Sequence, residues 1–254
     1  MSVLADAPGE CCIKTLQHSG TPLGTIETIA GVETYISPPQ TLGHHKKILL
    51  FFADVFGPLY INSKLLQDYF ASYDYLVLGL DYFEGDPVHV HTGEADFNVR
   101  EWIQPKKIRA DQLVPEWIDA VKETFGTYDT KYTAVGYCFG APYVMDLVAT
   151  DWLAAGAFAH PAFLSEDHFR KAKQPIFISC AEIDHTFSLE ARRKAEDILV
   201  RIKTPYHIQV FGSTEHGFAV RANNKDRLSR WAKEQSADAI LRWFNEFSAF
   251  ENSE

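Results

Sequence analysis

At 254 residues the chain is long enough for one large α/β domain or two small ones, and 46% hydrophobic with 23% charged residues suits a globular core. A formal net charge of −10 argues against nucleic acid or an anionic membrane as partner, because both reward clustered Lys and Arg. No apolar run reaches the roughly 18 residues that span a bilayer. The start, MSVLADAPGE, has neither the basic opening nor the apolar stretch of a signal peptide. Four cysteines are too few for a disulfide framework at this length, so the expected compartment is reducing and cytoplasmic.

In chain order, the first 40 residues read as an exposed lead-in followed by a hairpin. Its β-prone runs, 25–29 and 33–36, flank Ala30-Gly31, and Pro38-Pro39 ends the second. Short apolar runs then alternate with helical periodicity. The runs 47–53, 76–80, 132–137, 155–159, 176–180 and 207–211 are continuously rather than alternately apolar, as expected of strands buried on both faces of a parallel sheet. Helical spacing covers 64–73, 108–125, 141–150, 190–202 and about 226–247. This alternation predicts a doubly wound, mostly parallel α/β fold, with 1–254 as a single domain. Residues 84–104 show no clear period and carry Gly85, Pro87 and Gly93, which makes them a lid or pocket wall in expectation.

The most informative segment is Gly136-Tyr137-Cys138-Phe139-Gly140, a G-x-C-x-G between a β-rich run and a helical one. In a nucleophile elbow the flanking residues must be small, because the chain turns sharply from strand to helix. The helix N-terminus favours a thiolate on Cys138, and the Phe139 N–H points at a developing oxyanion. The plainer alternative is a strand-to-helix turn with an inert cysteine. The rest of the constellation weighs against that. An elbow needs an acid after a later strand and a histidine after the last, in that order. Asp184 follows the run 176–180, and His216 follows 207–211. Glu182 comes too soon after its strand, and His185 has no separate acid behind it. Cys138 is therefore the expected nucleophile, His216 its base and Asp184 the residue that fixes the imidazole tautomer. A second oxyanion donor is expected in the loop after 47–53, at the Val55 N–H.

His89, His91, Glu94 and Asp96 supply ligand types, yet a lone H-x-H in a loop is usually an accident, and a solvated polar loop is expected there instead of a metal. Arg221, five residues past His216, could hold a substrate carboxylate bidentately, or stand solvated before the last helix.

With these residues in hand, the chain resembles the dienelactone hydrolase family, especially its fungal-type members. The likeness is carried by Cys11-Cys12, His18-Ser19-Gly20, Pro22-Leu23-Gly24, Gly31–Tyr35, Asp54-Val55-Phe56-Gly57, the elbow, His160-Pro161, Ala181–His185 and His216–Arg221. The resemblance implies an α/β-hydrolase fold, a Cys–His–Asp triad that opens lactones through a thioester acyl-enzyme, and no cofactor. It places Asp54 where bacterial members have a Glu beside the resting thiol. It also matches Leu80–Glu84, which includes Tyr82, to a segment near which those members carry a carboxylate-binding arginine. No arginine occurs there. Asp54, Tyr82 and Arg221 are thus the expected substrate-pocket residues. A thiol suits lactones, activated esters and thioesters better than amides. Two alternatives are a secondary-metabolism enzyme that cleaves or rearranges such an intermediate, and a non-catalytic thiol-sensing protein on the same fold.

Overall fold

The computed structural model describes residues 2–9, 12, 15–40 and 47–249. Its ten strands are β1 (Val3–Ala5), β2 (Thr25–Ile29), β3 (Val32–Ser37), β4 (Lys47–Phe52), β5 (Leu76–Leu80), β6 (Lys131–Tyr137), β7 (Leu153–Ala159), β8 (Leu164–Ser165), β9 (Ile176–Ile183) and β10 (Tyr206–Glu215). The helices are α1 (Ile61–Ala71), α2 (Val99–Phe125), α3 (Ala141–Val148), α4 (Glu166–Arg170), α5 (Leu189–Ile202), α6 (Phe218–Arg221) and α7 (Arg227–Phe247).

Eight strands form one sheet in the order β10-β9-β7-β6-β4-β5-β3-β2. Pairing is parallel from β10 to β5, and the hairpin β2–β3 is added antiparallel at the far edge. The central strands are apolar throughout because both faces are covered. One face packs against α2, α3, α4 and α5 through Trp117, Val144, Phe169 and Leu199. The other packs against α1, α6 and α7 through Phe70, Phe218 and Phe244. Full burial of each such side chain is worth about 1.5–3 kcal/mol. The layers set the C-terminal ends of β4, β6, β7, β9 and β10 along one rim, where a doubly wound sheet carries its site.

Two sequence expectations change. The lead-in is not simply exposed: β1 pairs antiparallel with β8, Leu4 and Ala5 are buried, and Cys12 is fully buried. A three-residue strand is too short to show a period. The segment 84–104 is not all loop either. It holds a short 3₁₀ turn at Val88–His91, and α2 begins at Val99, nine residues earlier than its spacing suggests. Asn98 caps α2 by accepting from the Arg100 and Glu101 N–H groups. The helix then runs on through Pro105 and Pro115. Each proline removes a donor and would ordinarily break a helix. Burial of Trp102, Ile103, Ala110, Leu113 and Trp117 along one face offsets that loss.

Candidate active site

Cys138 stands at the end of β6 with a positive φ of 49°, a conformation strained for any residue with a Cβ. The flanking glycines make that turn possible. A Cβ on Gly140 would lie 2.1 Å from the Phe52 carbonyl oxygen, and one on Gly136 would lie 2.6 Å from the Gly140 carbonyl oxygen. The main-chain carbonyl of Cys138 accepts from the Ala162 N–H at 2.9 Å, tying the elbow to the loop after β7.

Asp184 and His216 arrive from the ends of β9 and β10. The His216 N–H donates to the Ile183 carbonyl at 3.1 Å, so the two loops are fastened together. Asp184 Oδ1 lies 2.9 Å from His216 Nδ1, with side chains 3% and 2% exposed. Thr186, which no sequence pattern singled out, completes this junction. Its N–H donates to Asp184 Oδ1 at 2.9 Å, and its hydroxyl lies 3.0 Å from His216 Nδ1. Burial alone would raise the Asp184 pKa, but His216 and the Thr186 hydrogen bonds hold it below the usual value. Burial likewise disfavours the His216 imidazolium, and the Asp184 carboxylate overcomes this and pushes the pKa up to about 9. Glu182 is exposed and accepts from the Ser213 N–H at 2.6 Å, so Asp184 is the carboxylate that meets His216.

Three imidazoles crowd together here. The His216 ring has His160 at 4.9 Å and His185 at 4.8 Å, both edge-on. His160 is fully buried with φ 36°, and burial drives its pKa well down, so it stays neutral.

The cysteine pair is the larger surprise. Cys12 Sγ, Cys138 Sγ and a ring nitrogen of His216 all lie within 4.8 Å of one another. Cys12 Sγ is also 3.6 Å from His185 Nε2. The neighbouring Cys138 thiol, then His185 and His216, lower the Cys12 pKa against its burial. Burial, and then the Cys12 charge, raise that of Cys138. The Cys11-Cys12 motif was visible in the sequence; Cys11 lies outside the described residues, and nothing in the spacing brought Cys12 to the elbow.

The remaining expected residues surround the elbow. Phe139 and Val55 are fully buried, the first in the turn after Cys138 and the second in the turn after β4. Tyr82 packs its ring on Phe139, 5.0 Å between centroids, and donates its hydroxyl to the Ala53 carbonyl. Asp54 accepts from the Phe56 N–H at 3.0 Å and places Oδ2 3.1 Å from Arg221 Nε. Arg221 is not the solvated arginine that one reading allowed. It is buried, packs over the Phe56 ring and donates to the Cys12 carbonyl. In the 84–104 segment His91 bonds Asp86 at 2.7 Å and Glu94 at 3.1 Å, and His89 stacks on Phe56. The polar loop expected there is therefore internally paired and only partly solvated.

A buried cysteine on a strained strand-to-helix turn, at the rim of a mostly parallel sheet sandwiched by helices, defines an α/β hydrolase. The chain belongs to the dienelactone hydrolase family, whose model matches residues 32–248, bearing out the resemblance carried by the motifs. That family comprises hydrolases of lactones and esters. Dienlactone hydrolase 1 of Gibberella moniliformis is 36% identical over 96% of this chain and 95% of its own length. Hydrolase pyvD of Aspergillus violaceofuscus is 35% identical over 94% and 97%. Among solved structures, a dienelactone hydrolase-like promiscuous phosphotriesterase from metagenomic libraries matches with TM-score 0.70 at 18% identity, covering 88% of this chain and 98% of its own. A dienelactone hydrolase from Anabaena variabilis matches with TM-score 0.65 at 11% identity, covering 91% and 99%. At such identities the structural matches speak for the fold alone.

Proposed function

We propose that Cys138 is the nucleophile of a hydrolase that opens a lactone or cleaves an activated ester through a thioester acyl-enzyme. The observation that carries this is Cys138 held at positive φ on the elbow, its Sγ within 4.8 Å of a ring nitrogen of His216, whose Nδ1 is bonded to Asp184. His216 takes the Cys138 proton, and the thiolate attacks the carbonyl carbon. The C–O bond to the leaving alkoxide breaks, and the imidazolium returns its proton to that oxygen. Water, deprotonated by His216, then hydrolyses the thioester. Asp184 keeps Nδ1 protonated and stabilises the imidazolium. The N–H groups of Phe139 and Val55 are the proposed oxyanion donors.

Arg221, Asp54 and Tyr82 are the proposed pocket residues. Because Asp54 already balances the Arg221 charge, a substrate carboxylate must compete with Asp54 for the guanidinium, and a neutral lactone or aryl ester avoids that cost. No helix among the described residues is long and apolar enough to cross a membrane. A reducing, cytoplasmic setting suits a mechanism that needs a free thiol, and Cys12, Cys138 and Cys180 are all unbridged.

The test is intact-mass spectrometry after incubation with a panel of lactones and aryl esters. An acyl adduct that maps to Cys138, and is absent in Cys138→Ala, is the expected result. Cys138→Ser should retain only slight activity, because His216 would face a far less acidic hydroxyl. Unchanged turnover in the folded Cys138→Ala variant would sink the reading.

A further inference from the structure

We propose that Cys12 Sγ, Cys138 Sγ and His216 Nε2, with His185 Nε2 as fourth donor, form a site for a thiophilic divalent cation, Zn²⁺, that reversibly blocks the enzyme. The binding half stands on the donor geometry; the blocking half rests on Cys138 and His216 as nucleophile and base.

Two sulfurs and two imidazole nitrogens are a preferred zinc donor set. Zinc bonds of about 2.3 Å to sulfur and 2.0–2.1 Å to nitrogen put tetrahedral donors a little under about 4 Å apart. The Cys12–His185 separation of 3.6 Å already meets that; Cys12, Cys138 and His216 would close by about an ångström from their 4.8 Å limit, and the exposed His185 ring would swing in from Cys12 to complete the set. His216 Nε2 is buried and has no hydrogen-bond partner among the described residues, so an ion that displaces its proton breaks no hydrogen bond there. The partner that fixes its direction is already present. Asp184 on Nδ1 gives the carboxylate–histidine–metal arrangement that orients and strengthens a metal-bound imidazole.

Cys12 is held independently of any metal. Its N–H donates to the Gly9 carbonyl at 2.8 Å, and Arg221 donates to its carbonyl. Two thiolates cancel the charge of one Zn²⁺, so the filled site adds no net charge to a buried region that already holds the balanced Asp54–Arg221 pair. Forming both thiolates releases protons, so binding strengthens as pH rises. His185 is exposed and lines, with His216 and Arg221, a cleft of about 580 Å³ that gives an ion its route inward. Mg²⁺ and Ca²⁺, which require oxygen donors, should be rejected.

The experiment titrates the reduced, chelator-washed full chain with zinc chloride against a chromogenic chelator, and with Co²⁺ to read thiolate-to-cobalt charge transfer. Expected are one equivalent of Zn²⁺, a charge-transfer band with Co²⁺, and loss of aryl-ester turnover at the same midpoint, restored by EDTA. Cys12→Ser should weaken zinc binding by more than the roughly 10–100-fold that loss of a mere outer-shell partner costs. His185→Ala, at an exposed position where folding is not at stake, should weaken it at least about 10-fold. Cys180→Ser should bind as wild type. No binding, binding unchanged in both Cys12→Ser and His185→Ala, or equal binding of Mg²⁺ overturns the site. Metal-free turnover alongside absent zinc binding would sink this inference alone. Intact zinc binding on a chain that turns over no ester would sink the hydrolase reading alone.

Discussion

Asp54 and Arg221 form an ion pair with side chains 0% and 2% exposed, next to the elbow. Removing one member of such a pair strands a charge away from water and costs about 3–5 kcal/mol. Asp54→Asn is the sharpest perturbation. The amide oxygen still accepts from the Phe56 N–H, so the turn survives while Arg221 loses its counter-charge. At roughly 2–4 °C per kcal/mol for a chain of this size, the melting temperature should fall by about 6–20 °C. Arg221→Met should be milder at low pH. Burial already pushes the Asp54 pKa up, Arg221 being what opposes it, so without the guanidinium Asp54 takes a proton and is no longer charged. Its penalty should therefore grow as pH rises above the ordinary carboxylate range. The variant also loses the contact over Phe56 and the hydrogen bond to the Cys12 carbonyl, which the double variant cannot recover. Thermal and denaturant melts of both single variants and of Asp54→Asn/Arg221→Met give a coupling energy, and it should exceed about 1 kcal/mol. Additivity within about 0.5 kcal/mol would refute the pairing as an energetic unit.

Asp184→Asn should lower kcat by about 10⁴, the scale seen when a triad carboxylate becomes an amide, while Glu182→Gln should be mild; steady-state kinetics on an aryl ester decide, and the reverse order would overturn the acid assignment. Because the His216 pKa is raised to about 9 from 6.5, its stabilising contribution is fully present below pH 6.5 and lost as pH climbs through 9. Melting temperatures should accordingly fall between pH 7 and pH 10, and fall less in Asp184→Asn; a flat profile in the wild type would count against the buried His216–Asp184 pair. Gly140→Ala should abolish soluble expression or activity, with destabilisation above about 4 kcal/mol, since its Cβ meets the Phe52 carbonyl; a stable, active variant measured by circular dichroism and turnover would show the elbow to be more pliant than drawn.

Local signals were enough for the frame of this protein. Continuous apolar runs marked β4, β5, β6, β7 and β9 because strands covered on both faces have no polar side to display. The elbow glycines, and the loops after β9 and β10, were legible because sharp turns and strand exits restrict residue type within a few positions. Burial along α2 overrode Pro105 and Pro115, which no period could reveal. Contacts between distant segments leave no trace in spacing. Asp54 meets Arg221 across 167 positions of chain only because β4 and β10 end on the same rim. Thr186 joins Asp184 to His216 for the same reason. The placement of Cys12 depended entirely on the fold: a cysteine in a segment with no periodicity is set against Cys138 and His216 by β1 pairing with β8, by Arg221 holding its carbonyl, and by the convergence of strand ends that the sheet alone provides.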